Sequence, residues 1–208
     1  MIGELPTAGP AAVSMGVFDG VHRGHQAVLR ATREAARASG AASVVLVFDP
    51  HPDEIIHAGR RMPRLTPVEV VERRVIQAGI DHVQVVRFTR EIQNLRAEEF
   101  LAALSPAIEV RRLVMSPESA FGRGRGGTVA RMRDHGRQAG FEVVLVEPVV
   151  ADGLPISSSR IREAVTAGDL PTVRRLGNPV YLEGTVVEGD HRGRELGYPT
   201  ANLRFDYV

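Results

Sequence analysis

The stretch Ala11-Ala12-Val13-Ser14-Met15-Gly16-Val17-Phe18, continued by Asp19-Gly20-Val21-His22-Arg23-Gly24-His25 and then by residues 26–39, decides the fold class. Its first eight residues form a mostly apolar run, short enough for a buried strand. Residues 26–39 are rich in Ala, Arg and Glu, and Val28, Leu29, Ala35 and Ala36 fall on one helical face with Thr32 between the pairs. Gly40 is a helix stop. Between strand and helix lies a turn with glycines at 16, 20 and 24.

The same alternation repeats outward. Residues 43–48 (SVVLVF) read as a second strand, followed by a loop with Pro50 and Pro52. Thr66 reads as the cap of a helix that opens with Pro67, carries Glu69 in its first turn and ends near Gly79. Strands are predicted at 83–88, ending at 112–115, and at 141–146, with helices at 98–104 and 128–139. Solid apolar strands separated by helices predict an α/β chain whose parallel sheet is covered on both faces. Ligands of such sheets sit beyond the carboxyl ends of the strands, here after Phe18, Phe48, Phe88, Met115 and Val146. After Pro148 the pattern changes to two helices, 156–167 and 169–176, and a break at Gly177-Asn178-Pro179. The remainder is β-rich, and roughly 30 residues are too few to fold alone. The division expected is therefore 1–178 and 179–208, the second part being the start of a further domain.

Composition narrows the function. Hydrophobic residues make up 43% and charged residues 25%, which excludes disorder as the dominant state. The formal net charge of +1 gives no electrostatic footprint for nucleic acid. No cysteine is present, which removes disulfides, thiolate metal sites and a thiol nucleophile. All 26 Lys+Arg residues are arginine, which removes Schiff-base chemistry and the lysine-containing phosphate loop. No apolar window is long enough to span a membrane and no secretory leader is visible, so a cytoplasmic location is expected.

Two segments suit phosphate. In Gly16-Val17-Phe18-Asp19-Gly20-Val21-His22-Arg23-Gly24-His25, glycines let the backbone approach a ligand, and the following helix aims free N–H groups at it. His22 and His25 can both face an anion; as a metal pair they lack a third ligand. Taken alone, two histidines beside a glycine turn would more often be ordinary surface residues. In Ile156-Ser157-Ser158-Ser159-Arg160-Ile161-Arg162, hydroxyls and guanidinium groups gather at a predicted helix start. Alone this too would be a capped helix with solvated arginines; together the pair favours nucleotide phosphates.

At these segments the chain resembles the nucleotidyltransferases with HxGH and ISSSxxR motifs. More narrowly it is similar to the bacterial riboflavin kinase/FMN adenylyltransferase (FAD synthetase) family. The stretches that carry the likeness are GVFDGVHRGH at 16–25, FDPHP at 48–52, ISSSRIREA at 156–164 and GRELGYPTANL at 193–203. The resemblance implies a Rossmann-like nucleotidyltransferase domain followed by the opening of a β-barrel riboflavin kinase domain. It implies transfer of AMP from ATP to FMN, giving FAD and pyrophosphate, with riboflavin as the kinase substrate. His22 and His25 would be catalytic. Gly16, Phe18, Asp19, Gly20, Gly24, Ser157, Ser158, Ser159 and Arg162 would hold ATP, with Mg2+ bridging its phosphates.

Phe48, Pro50, His51, Pro52, Glu118 and Phe121 would line the flavin side; His51 is equally consistent with an ordinary loop histidine, and its spacing from His57 is poor for a metal. Thr200 and Asn202 match the kinase residues that hold magnesium and phosphate, while the family's catalytic carboxylate lies downstream of Val208. No kinase activity is thus expected of residues 1–208. In the loop 116–127 (SPESAFGRGRGG), the family usually has a glycine, an acid or amide, and an aromatic before Phe-Gly. Here Ser116 and Ser119 replace the glycine and the aromatic, and Glu118 is the acid. Gly122, Gly124 and Gly127 satisfy GxGxxG, but the separation from the strand and the two intervening arginines argue against a dinucleotide fingerprint. Two alternatives therefore stand beside FMN adenylylation: transfer to another phosphate-bearing acceptor, and a non-catalytic flavin or nucleotide module.

Overall fold

The computed structural model describes residues 9–177, 185–189, 197–198 and 201–204. Strand β1 (Gly9–Gly16) passes through a single 3-10 turn, Asp19–Val21, into α1 (Arg23–Ala38). Then come β2 (Ala42–Asp49), α2 (Pro52–Ile56), α3 (Val68–Gln77), β3 (His82–Arg87), α4 (Arg90–Asn94), α5 (Ala97–Leu104) and β4 (Ile108–Met115). A small hairpin, β5 (Ala120–Phe121) and β6 (Gly127–Thr128), leads to α6 (Val129–Ala139) and β7 (Glu142–Leu145). A second hairpin, β8 (Val150–Ala151) and β9 (Leu154–Pro155), precedes α7 (Ser158–Thr166) and α8 (Leu170–Leu176). Beyond residue 177, β10 (Thr185–Val187) pairs antiparallel with β11 (Asn202–Arg204).

The central sheet has the order β3-β2-β1-β4-β7 and every pair in it is parallel. Side chains alternate across it with a period of two, as strand geometry requires. Ala11, Val13, Val44, Leu46 and Phe48 meet α4, α5 and α6 through Ile92, Phe100, Leu104 and Met132 on one face. Val45 and Val47 meet Leu29 of α1 and Val71 and Val75 of α3 on the other, where Ala35 and Ala36 also lie flat on Ala12 and Val114. Strand order reverses at β1, whose two neighbours are β2 and β4; this is where a parallel sheet leaves a crevice at its carboxyl edge.

Two sequence expectations change. The first helix starts at Arg23, not Gln26, because the His22 side chain caps it: Nδ1 accepts from the His25 backbone N–H at 3.3 Å. Thr66 does not cap α3. The cap position is Pro67, which has no side-chain hydrogen bond, and Thr66 is buried and turned toward residues 19 and 20.

Candidate active site

The turn after β1 is held in a conformation that few side chains choose. Phe18, Gly20 and Val21 have φ of 53°, 81° and 43°. For Phe18 and β-branched Val21 such values are uncommon and strained. Gly20 is required twice over: its φ is positive, and an added Cβ would lie 3.0 Å from Leu65 Cδ1. Gly24 lies in a tight place, since a Cβ there would lie 3.1 Å from the His22 ring and 3.3 Å from the Ile156 carbonyl oxygen, and one or the other would have to shift. That second distance already places the two phosphate-type segments side by side.

The residues of α7 close the contact. Ser158 Oγ donates to the Asp19 carbonyl at 3.0 Å. Arg162 Nη2 donates to Asp19 Oδ2 at 2.6 Å, and its Nε donates to the Pro63 carbonyl at 2.6 Å. Asp19 is 3% exposed and its carboxylate also accepts the Leu65 and Thr66 backbone N–H groups. Ser157 caps α7 by accepting the Arg160 N–H, and Ser159 is exposed. Arg160 does not join the phosphate face: its Nη1 donates to the carbonyls of Ala151, Leu154 and Pro155 and clamps the β8–β9 hairpin.

The two imidazoles stack, with ring centroids 3.7 Å apart and planes 18° from parallel, and the buried Phe18 ring supports His25 from 5.2 Å. Burial lowers the His22 pKa to about 4; Asp19 pulls it back up and Arg162 pushes it further down. His25 is also held well below the usual imidazole range, by burial and then by His22. Both rings are neutral at pH 7. Because His22 Nδ1 accepts, its proton sits on Nε2.

A cavity of about 740 Å³ opens at the carboxyl edge of the sheet. Met15, Gly16 and Val17 at the end of β1 and Leu113, Val114 and Met115 at the end of β4 form its base. Phe88, Phe48, Phe100 and Phe121 wall it, each packed edge-to-face on the next with centroids 5.5 to 6.1 Å apart. His51 and Pro52 line it from the start of α2, while Pro50 is not among the lining residues. His51 Nδ1 accepts the Asp53 N–H, and its pKa is lowered by burial first, with smaller effects from Asp53, Arg162, Arg64 and Asp19. The cavity is therefore in the electrostatic neighbourhood of the Asp19–Arg162 pair. Glu118 is exposed on the rim, and the Ser116 and Ser119 hydroxyls hydrogen-bond to each other at 2.6 Å behind it.

Several placements differ from the sequence expectation. Gly16 belongs to the cavity floor, not to the histidine turn. Phe18 and Asp19 support the site from beneath. Asn202 is exposed on β11 with its amide against Gly189, and Thr200 lies outside the described residues. Sequence reasoning missed Thr66, Leu65, Phe88 and Phe100 as parts of the site; only the position of Phe88 at a strand end signalled a ligand wall.

Residues 5–160 match the family model described as FAD synthetase. The chain belongs to the FAD synthetase family. Residues 176–208 match the model described as riboflavin kinase. The bifunctional riboflavin kinase/FMN adenylyltransferase of Listeria monocytogenes is 37% identical over 202 residues, covering 94% of this chain and 63% of that protein. Its namesake from Escherichia coli K12 is 33% identical over 204 residues, covering 97% and 65%. The chain thus spans less than two thirds of the length of these FAD synthetase relatives. A crystal structure described as a macrolide-efflux protein from Streptococcus pneumoniae superposes with a TM-score of 0.80 at 31% identity, covering 98% of this chain and 66% of that one. Among the described residues of this FAD synthetase family member, no helix is long and apolar enough to cross a membrane. Of the four stretches that carried the resemblance, 16–25 and 48–52 fall within the FAD synthetase match and 193–203 within the riboflavin kinase match, while 156–164 straddles the end of the first.

Proposed function

We propose that residues 1–178 transfer AMP from ATP to FMN, and that residues 179–208 open a riboflavin kinase domain. The observation that carries this reading is a shared origin. The end of β1 both floors the aromatic cavity and launches the turn that bears His22 and His25, and α7 is docked on that turn through Ser158 and Arg162. A flat, apolar ring system with an anionic tail fits a cavity walled by phenylalanines beside a phosphate-type turn.

The chemistry needs little from the protein. The FMN phosphate is already ionised, so one of its oxygens attacks the α-phosphorus of ATP without a general base. The α–β bridging P–O bond breaks, and its electron pair leaves with pyrophosphate. The protein holds the reactants in line and offsets charge on the phosphates. His22 donates through Nε2–H as a neutral imidazole. As neutral donors the rings offer hydrogen bonds to phosphate oxygens at no cost of burying an imidazolium. The free N–H groups of the α1 and α7 termini, with Ser158, Ser159 and Arg162, grip the leaving phosphates. Among the described residues no cluster of three or more His, Cys, Asp or Glu could hold a metal, and the Asp19 carboxylate is committed to Arg162 and backbone N–H groups. The residues present thus form no protein cage for the magnesium expected with ATP, and no step here runs through it.

Incubation with ATP, magnesium chloride and FMN, followed by chromatography, tests the reading. FAD should form, and His22→Ala should lower the rate by roughly 100-fold or more. Folded protein that makes no FAD sinks it. The Ser116–Ser119 pair, standing where the family resemblance implies a glycine and an aromatic, favours one second reading: a different phosphate-bearing acceptor. Flavin fluorescence that is unchanged on titration with the protein would select it.

A further inference from the structure

Thr66 is tied to the turn that carries His22, not to the helix that it precedes. Its Oγ1 accepts the Gly20 N–H at 3.1 Å, and its own N–H donates to Asp19 Oδ1 at 3.1 Å. It is 4% exposed. Leu65 donates its N–H to Asp19 at 2.9 Å, and its side chain occupies the space that a Cβ on Gly20 would enter. The Pro63 carbonyl takes Arg162 Nε at 2.6 Å. Segment 63–66 therefore touches the turn at residues 19 and 20 and α7 at Arg162. Those are the two pieces that an adenylyl transfer must hold in register.

The turn needs an outside hold. Strained φ values at Phe18 and Val21 relax unless surrounding contacts over-determine them. Inside the turn, the Val21 N–H bonds the Phe18 carbonyl at 2.9 Å. The Gly20 N–H has no such internal partner; Thr66 supplies it. His22 begins one residue beyond Val21, so any change in the backbone of Gly20 and Val21 swings the imidazole directly.

We propose that Thr66 is a positioning residue of the transfer centre: by accepting the Gly20 N–H, its hydroxyl fixes the strained turn and with it the place of the His22 ring. It touches no substrate. The inference rests on the FMN adenylylation reading above, but one of its readouts does not.

Thr66→Val keeps the shape and deletes the acceptor; Thr66→Ser keeps the acceptor. In steady-state FAD formation, Thr66→Val should lower kcat roughly 10- to 100-fold, as small misplacements of reacting groups do, with the KM for FMN little changed. Thr66→Ser should restore most of the rate. In 1H–15N spectra of the histidine rings, Thr66→Val should move the His22 signals and leave those of His135 on α6 in place, and Thr66→Ser should move neither. Should Thr66→Val not fold, Thr66→Cys, of similar size and weaker acceptor strength, carries the same comparison. Unmoved His22 signals in the variant lacking the acceptor, a serine variant as impaired as the valine one, or a raised KM with kcat intact would each overturn the proposal. Wild-type protein that forms no FAD would defeat the adenylylation reading, and the ring signals would still decide whether Thr66 places His22.

Discussion

Oδ2 of Asp19 and Nη2 of Arg162 lie 2.6 Å apart, although 143 positions separate them in the chain. Asp19 is 3% exposed and the Arg162 side chain 15%. Removing two charges from water is expensive, and only full pairing offsets it. Here the carboxylate has the guanidinium and two backbone N–H groups, and the guanidinium also reaches the Pro63 carbonyl. The pair joins the carboxyl end of β1 to the first turns of α7.

Breaking that pair from one side should be costly. Arg162→Met leaves a buried carboxylate without its cation and should lower stability by about 3 kcal/mol or more in urea titration. The double variant with Asp19→Asn should cost less than the sum of the two single changes, because the stranded charge is gone. Additive losses would show that the two side chains are not coupled.

Acid should loosen the fold before its carboxylates titrate. His22 has a folded-state pKa of about 4 against an ordinary value of 6.5, so between those values the unfolded chain binds more protons than the folded one. Stability therefore rises with pH across this window and is lost as pH falls through it, by up to about 1.4 kcal/mol per pH unit from His22 alone. His25 and His51 act in the same direction. Urea midpoints measured from pH 7 to pH 4 should fall, and less steeply in His22→Gln; equal slopes in the two proteins would contradict the assignment.

Gly24→Ala should separate activity from stability. Gly24 is the second residue of α1, where alanine also favours the helix but by less than the roughly 1 kcal/mol of a helix interior; its methyl would lie 3.1 Å from the His22 ring and 3.3 Å from the Ile156 oxygen. The melting temperature should change little while FAD formation slows by about 10-fold, since a slightly displaced ring is enough. A full wild-type rate would mean that the ring position is not critical.

Phe121→Ala should weaken flavin binding selectively. Phe121 is half-buried, lines the cavity and packs edge-to-face on Phe100 at 6.1 Å. Loss of one aromatic wall should reduce FMN affinity by about 3- to 10-fold in a fluorescence titration. ATP binding, measured by calorimetry, should be unchanged; an equal loss for both would place Phe121 outside a dedicated flavin pocket.

The architecture was legible because burial acts along the chain at short range. SVVLVF could be read as a strand covered on both sides, and residues 43–48 are buried. The spacing of Val28, Leu29, Ala35 and Ala36, with Thr32 between the pairs, marked the inward face of α1 without reference to any contact; Leu29, Thr32, Ala35 and Ala36 are buried and Val28 is half-buried at its edge. The serine cap of α7 was legible for the same reason, since Ser157 bonds a backbone group three residues away.

Thr66, Asp19 and Arg160 were legible as a helix cap, an ATP-side residue and a phosphate-side guanidinium, but not in the contacts that they make. A hydroxyl before Pro67 has the same local pattern whether it caps α3 or turns to Gly20, and an arginine in ISSSRIR has the same pattern whether it meets phosphate or three carbonyls of a hairpin. The choice belongs to Gly20, 46 residues distant, for Thr66 and to a hairpin 5 to 9 residues back for Arg160, while Arg162 finds Asp19 143 residues away; each pairing is made only when the sheet, hairpin and helices pack. Periodicity records which face of an element avoids water. It carries no information about which buried donor will meet which acceptor, because that pairing is a property of segments that are neighbours only in space.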